Sequence, residues 1–237
     1  MKLAIVIPTY NEAETIPSLI NELFEKIKQF VEKLDILIID DSSPDGTADI
    51  VRELGTKYEK ITVIQRPKKM GLGAAYKEGF RHVLEKLDSE LVLQMDADHS
   101  HQPSEIPNML EKIKNFDFLV ASRHVEGSDV IGWGIGRKAT HSIAGAIARI
   151  CAKIEIKDST SGFRMFKKKT LEKVDFEKIR SDGFAFQIEV LHQLKQLGMK
   201  GLEVPTVFVN RTEGSSKMGS AEMMQFIKMC ISYIGRK

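Results

Sequence analysis

Residues 3–41 read LAIVIPTYNEAETIPSLINELFEKIKQFVEKLDILIIDD. Two apolar runs of strand length, Leu3 to Ile7 and Asp35 to Ile39, flank a longer segment from Glu12 to about Val31 with helical periodicity. Short apolar runs cut off by turn residues suit buried strands, and a 3.6-residue period marks an amphipathic helix. The same rhythm continues through a helix from about Thr47 to Lys57, a strand Ile61 to Gln65, a helix Gly73 to Leu87 and a strand Leu91 to Met95. Alternation of this kind predicts an α/β fold: a Rossmann-like, mostly parallel sheet with helices on both faces, in a single domain. Asn11 with Glu14 three residues on fits a capping box for the first helix.

Beyond the strand Phe118 to Ser122 the pattern loosens into a Gly-rich stretch, Gly127 to Gly136, flanked by Arg123 and Arg137 and followed by an amphipathic segment from Lys138 to Lys153. Loops this rich in glycine and bounded by arginines read as a working surface. Residues 1–219 are expected to form the main α/β domain. Residues 220–237 form a C-terminal amphipathic helix, rich in Met and aromatic residues, that either packs on that domain or docks on a membrane or partner.

Composition narrows the class. The 237 residues carry 35 Lys plus Arg against 33 Asp plus Glu, a net charge of +2, with 42% hydrophobic residues. Low-complexity disorder and nucleic-acid binding by bulk charge are disfavoured, so no nucleic-acid partner is expected. No apolar run approaches the roughly 20 residues of a membrane span. Pro8 and Asn11-Glu12 interrupt the first run before a signal-peptide core develops, so a cytoplasmic protein is expected. Cys151 and Cys230 lack metal-ligand spacing and read as free thiols packed as small hydrophobes.

In an open parallel sheet, ligands sit beyond the carboxyl ends of the strands. Asp96-Ala97-Asp98 places two carboxylates two residues apart at such an end, where they could share one hard cation, Mg²⁺ or Mn²⁺. Such a cation completes its shell with water and phosphate oxygens, which suits a diphosphate ligand. Asp40-Asp41-Ser42-Ser43-Pro44-Asp45-Gly46 is turn chemistry by composition, and Asp41 could also accept hydrogen bonds from a nucleobase or ribose. Gly71-Leu72-Gly73-Ala74-Ala75-Tyr76 starts like a dinucleotide fingerprint, but Tyr76 stands in place of the third glycine, which disfavours an NAD site. His99-Ser100-His101 lacks the further ligands a catalytic zinc needs. Arg211 and Lys217, on a loop with Gly and Ser after the strand near Val204, have the chemistry of a phosphate-closing lid, or of a plain solvated loop.

Taken in order, Pro8-Thr9-Tyr10-Asn11-Glu12, Asp40-Asp41-x-Ser43-x-Asp45, Gly71-Leu72-Gly73, Asp96-Ala97-Asp98, Ser161-Gly162-Phe163-Arg164 and Arg211-x-x-Gly214-x-Ser216-Lys217 resemble the inverting family 2 glycosyltransferases of GT-A fold. Within that family the resemblance is to the dolichyl- and polyprenyl-phosphate mannose synthase branch, over Leu3 to about Ile234. It implies that Pro8, Tyr10, Glu12, Ile39 and Asp41 surround guanosine, and that Asp96, Ala97 and Asp98 meet the ribose, metal and diphosphate. Ser100 stands where some relatives carry a further metal ligand. Arg211 and Lys217 match lid residues on the donor diphosphate, and Arg123 and Arg137 match the pair that grips an acceptor phosphate. Where many relatives have a Ser, four residues after the second Arg, this chain has His141. The implied activity is transfer of mannose from GDP-mannose to a dolichyl or polyprenyl phosphate. Attachment would be peripheral on the cytosolic face of a membrane, through the C-terminal helix or a small membrane-anchoring subunit. Another family 2 enzyme using a UDP-sugar, or a non-catalytic nucleotide-binding scaffold, would share many of these motifs.

Overall fold

The computed structural model describes residues 1–210 and 220–234. Strand β1 (Lys2–Thr9) leads to helix α1 (Ile16–Ile27), β2 (Lys33–Asp40), α2 (Thr47–Lys57), β3 (Ile61–Gln65), α3 (Leu72–Lys86) and β4 (Leu91–Gln94). Then come α4 (Ile106–Lys112), β5 (Phe118–Ser122), β6 (Asp129–Ile131), α5 (Ile135–Ala152), β7 (Arg164–Lys167) and α6 (Lys168–Leu171). The chain closes with α7 (Ala185–Gln196), β8 (Gly201–Pro205), β9 (Val207–Val209) and α8 (Ser220–Ile234).

Seven strands form one sheet in the order β3-β2-β1-β4-β7-β5-β8. Every neighbouring pair is parallel except the two that involve β7, which runs antiparallel to β4 and β5. The βαβ crossovers of the first half force this arrangement, because parallel neighbours need a helix between them. Strand alternation then divides the core in two. Leu3, Ile5, Ile7, Ile36 and Ile38 face α1, α2 and α4, whereas Ala4, Val6, Leu37 and Ile39 face α3 and the helices of the second half. Gly79 lets α3 lie close on β1, since a Cβ there would come within 2.4 Å of Val6 Cγ1.

Three local expectations are corrected. The first helix begins at Ile16, and Asn11 sits in the left-handed region at φ 59° with its N–H donated to Ser43 Oγ, so no capping box forms with Glu14. The amphipathic helix starts at Ile135 rather than Lys138. The Gly-rich stretch is not all loop: Asp129–Ile131 pairs in parallel with Val207–Val209 as a second, two-stranded sheet. Helix α8 packs against α5 and α7, burying Met229, Cys230 and Tyr233 in the core.

Candidate active site

Parallel register brings the strand ends to one edge of the sheet: Thr9 pairs with Asp40, Asp40 with Gln65, and Val6 with Gln94. The residues that follow β4 are Met95, Asp96, Ala97 and Asp98. Ala97 is buried in the core, so only its main chain could meet a ligand. Asp96 is held by groups from three places in the chain. Tyr76 Oη, on α3, lies 3.1 Å from Asp96 Oδ1 and 3.1 Å from the Met95 carbonyl, to both of which it can donate. The Asp96 N–H donates to His101 Nδ1 at 3.1 Å, which leaves the ring proton on Nε2. A Cβ on Gly162 would fall 3.1–3.2 Å from both carboxylate oxygens of Asp96, so the bare backbone there admits the carboxylate. Tyr76 is fully buried, and burial followed by the Asp96 charge pushes its hydroxyl pKa well up, so it is a neutral donor at any working pH.

Asp98 Oδ1 accepts from Ser100 Oγ at 2.6 Å and from Ser100 N at 3.1 Å. Ser100 thus orients Asp98, and its hydroxyl could ligate a cation only through its other lone pair. Among the described residues no three His, Cys, Asp or Glu side chains gather as a metal cluster. Two carboxylates on one loop therefore fit a hard divalent cation whose remaining positions are taken by water and phosphate oxygens. They do not fit a closed protein cage.

On the β1 and β2 side, Pro8 pairs with Ile39 within the sheet, Tyr10 and Glu12 follow the end of β1, and Lys69 Nζ lies 3.8 Å above the Tyr10 ring. The Ile39 side chain is fully buried beneath α3, so only its main chain can meet a ligand. Asp41 is buried and engaged by Arg66, whose Nε donates to Oδ1 while Nη2 pairs with the same oxygen.

A second charged cluster lies beyond β5. Arg123 Nε and Nη2 donate to the two oxygens of Asp158, each at 2.7 Å, and Nη2 also reaches Thr160 Oγ1 at 3.1 Å. Trp133 gathers the two arginines: the guanidinium carbons of Arg123 and Arg137 lie 5.5 and 4.5 Å from its ring centroid. Arg137 Nη1 donates to Asn210 Oδ1 at 3.2 Å, tying the start of α5 to the end of β9. His141, one turn further along α5, stacks on His124 and meets Trp133 edge-on. Burial and then the charge of Arg123 lower its pKa to about 4. Its ring stays neutral near pH 7. Arg211 and Lys217 lie outside the described residues.

The structure thus brings Asp96 and Asp98 to one strand end and Arg123 and Arg137 to one indole. Of the residues that complete these clusters, Arg66, Trp133 and Asp158 have no motif of their own. Gly162 stands in the Ser161-Gly162-Phe163-Arg164 motif, His101 in the His99-Ser100-His101 triplet and Tyr76 as the misfit in the glycine pattern, none of them with a role assigned from sequence.

Next to this geometry stand the known proteins. Residues 4–175 match the family described as Glycosyl transferase family 2. An undecaprenyl-phosphate mannosyltransferase from Micrococcus luteus is 36% identical over 218 residues, 92% of this chain and 88% of that protein. A polyprenol monophosphomannose synthase from Mycolicibacterium smegmatis is 35% identical over 223 residues, 93% of this chain and 82% of that protein. Among solved structures, glucosyl-3-phosphoglycerate synthase from Mycobacterium tuberculosis superposes with a TM-score of 0.71 at 18% identity, over 100% of this chain and 79% of that one. A mannosyltransferase from Pyrobaculum calidifontis, solved with GDP-Man and Mn²⁺, gives 0.62 at 16% identity, over 98% of this chain but only 62% of that one. At such identities the solved structures bear on the fold, which is that of GT-A glycosyltransferases. The sequence matches go further, and by them this chain belongs to glycosyl transferase family 2.

Proposed function

We propose that this protein transfers mannose from GDP-mannose to a dolichyl or other polyprenyl monophosphate, with inversion, giving a β-mannosyl phosphoryl lipid. The observation that carries this reading is the separation of two charge clusters. Paired carboxylates stand at the end of β4, and two guanidinium groups share the Trp133 ring beyond β5. A transferase joining a nucleotide sugar to a lipid phosphate needs both, one for a diphosphate and one for a monophosphate. The names of the two sequence relatives, each acting on a polyprenyl phosphate with mannose, support the same pair of substrates.

Asp96 and Asp98 are the residues to hold Mg²⁺ or Mn²⁺, with Ser100 beside them. When bound, such a cation supplies Lewis acidity that stabilises charge on the departing diphosphate. Pro8, Tyr10, Glu12, Ile39 and Asp41 form the nucleoside end, and Arg211 and Lys217 are assigned to the donor diphosphate. Arg123 and Arg137 orient the lipid phosphate. Its oxygen is already anionic near neutral pH, so the usual demand for a general base falls away and positioning supplies most of the remaining rate. A single in-line displacement inverts the anomeric carbon.

The lipid substrate calls for contact with a bilayer. Among the described residues no helix is long and apolar enough to cross one. Helices α5 and α8 instead leave large apolar side chains in solvent: Ile135, Ile143, Ile147 and Ile150 on the first, Met224, Ile227 and Ile231 on the second. We assign these faces to peripheral attachment on the cytosolic leaflet, with a small anchoring subunit as the other candidate partner.

The test is transfer of labelled mannose from GDP-mannose into organic-extractable product on added polyprenyl phosphate. Product is expected with Mn²⁺ or Mg²⁺ and lost on chelation. Transfer from UDP-glucose but not from GDP-mannose would overturn the donor assignment.

A further inference from the structure

Residues 157–162 run between the two charge clusters and touch both. At one end Asp158 and Thr160 receive the Arg123 guanidinium. At the other, the bare backbone of Gly162 admits the Asp96 carboxylate. The place of this strip follows from β7, which enters the sheet antiparallel between β4 and β5 and pairs its first residue, Arg164, with Gln94 on one side and Val120 on the other. Asp96 lies two residues beyond Gln94, and Arg123 three beyond Val120. We infer that Arg164 is a positioning residue for both clusters: with Glu203 it clamps residues 157–162, and the clamped strip sets Arg123 at one end and Asp96 at the other.

The Arg164 side chain is fully buried, and its hydrogen-bond partners are all carbonyls. Nε donates to Ser161, Nη2 to Ser159 and Nη1 to Gln187 on α7, each at 2.8 Å. A buried cation held by carbonyls alone is expensive, and apolar packing has no need of one. What the guanidinium supplies is a rigid planar fork, which fixes two carbonyls of the strip against a helix in a way that a lysine ammonium does not reproduce. Glu203, on β8, takes the donors of the same strip: its two oxygens accept the backbone N–H groups of Lys157 and Asp158, each at 2.9 Å. Ser161 Oγ adds a bond to the Ala121 carbonyl at 2.6 Å, tying the strip to β5. Because Arg164 is enclosed in the core, it reaches a substrate only through this strip.

This inference rests on the reading that Asp96 holds a cation and Arg123 a lipid phosphate, and the experiment separates the two. Wild type, Arg164→Lys and Glu203→Ala are compared by three measurements: amide exchange of the ligand-free protein, Mn²⁺ affinity with and without GDP, and kcat and KM for polyprenyl phosphate. Arg164→Lys keeps the charge and loses the fork. In its folded fraction Mn²⁺ affinity is expected to fall and the lipid KM to rise, each about tenfold. Glu203→Ala frees only the Asp158 end. Its amides of Arg123, Lys157 and Asp158 should exchange at least about tenfold faster, with a raised lipid KM and unchanged Mn²⁺ affinity. A merely structural Arg164 lowers Tm and leaves both constants of the folded fraction where they are; that result overturns the inference, and so does a change in only one of them. Should Arg164→Lys fail to fold, Glu203→Ala decides, and unchanged exchange at Arg123 with an unchanged lipid KM overturns the clamp. Wild type that transfers nothing to polyprenyl phosphate, while Arg123 exchange and Mn²⁺ affinity shift in the variants as expected, refutes the proposed substrates and leaves the clamp standing.

Discussion

Asp158 grips the Arg123 guanidinium from the protein side, accepting Nε and Nη2 on separate oxygens and the Arg123 backbone N–H on Oδ2. Burial alone would raise this carboxyl, but the hydrogen bonds and charge of Arg123 outweigh it and hold the group well below the usual carboxylate range. The pair fixes which edge of the guanidinium faces outward. Asp158→Asn leaves a buried cation without its partner, which costs about 3 kcal/mol in comparable pairs. Denaturant unfolding is expected to show that loss. In the folded fraction the KM for polyprenyl phosphate should rise about tenfold with the KM for GDP-mannose little changed. A rise in the donor KM instead would place Arg123 at the wrong substrate.

Tyr76 supplies a second test. Tyr76→Phe keeps the ring packed against Phe80 and Phe186 and removes only the hydroxyl that reaches Asp96. A partner oriented behind a metal ligand commonly changes metal affinity by roughly 10-fold or more. The half-saturating Mn²⁺ concentration, measured by binding with GDP as well as by turnover, is expected to rise about tenfold at nearly constant Tm. An unchanged Mn²⁺ affinity would show that Asp96 needs no brace from α3.

These two residues also mark the limit of what the sequence discloses. The βαβ order, the sheet edge and the Asp96-Ala97-Asp98 loop are legible because local periodicity and strand ends dictate them. Antiparallel β7 is not, because its four residues are too few for a period and are paired by β4 and β5 on either side. The roles of Asp158 and Tyr76 are silent for another reason, although Tyr76 shows as a misfit in the glycine pattern. Their partners lie 35 and 20 positions away, and nothing in one dimension distinguishes a buried aspartate that orients an arginine from a surface one. Ile39 shows the converse, since a position expected at a ligand from the resemblance has its side chain wholly in the core.

His141 sets an acid limit on stability. Burial, then the charge of Arg123, holds its folded pKa near 4, with His124 and Arg137 adding to the effect and Asp158 opposing it, against an ordinary value of 6.5. As pH falls from about 6.5 to about 4, the unfolded chain takes up a proton that the folded chain refuses, so stability declines over that window. Asp158, whose folded pKa is depressed, acts only below its own ordinary value of 3.8 and so outside it. His141→Asn is therefore expected to lose less Tm than wild type between about pH 7 and pH 5. An equal loss in both would show that His141 is not the group responsible.

The membrane assignment turns on two faces that the fold leaves uncovered. Ile150 on α5 is 78% exposed and Ile231 on α8 is 65% exposed, while on the same α8 Met229, Cys230 and Tyr233 are buried. Solitary exposed apolar residues are ordinary, but several on two helices that pack together form the kind of surface that is normally covered. Because Ile150 and Ile231 point to solvent, charging them should change stability by no more than about 0.5 kcal/mol. Moving an isoleucine from lipid back to water forfeits about 2 kcal/mol each, so a double change costs a partition constant about 4 kcal/mol, roughly 1000-fold. Ile150→Glu with Ile231→Glu is expected to abolish co-sedimentation with liposomes and to slow transfer to bilayer-embedded polyprenyl phosphate. Turnover on a short-chain, detergent-dispersed acceptor should be spared. Undiminished liposome binding by the double variant would remove these helices as the attachment surface and turn attention to a partner chain.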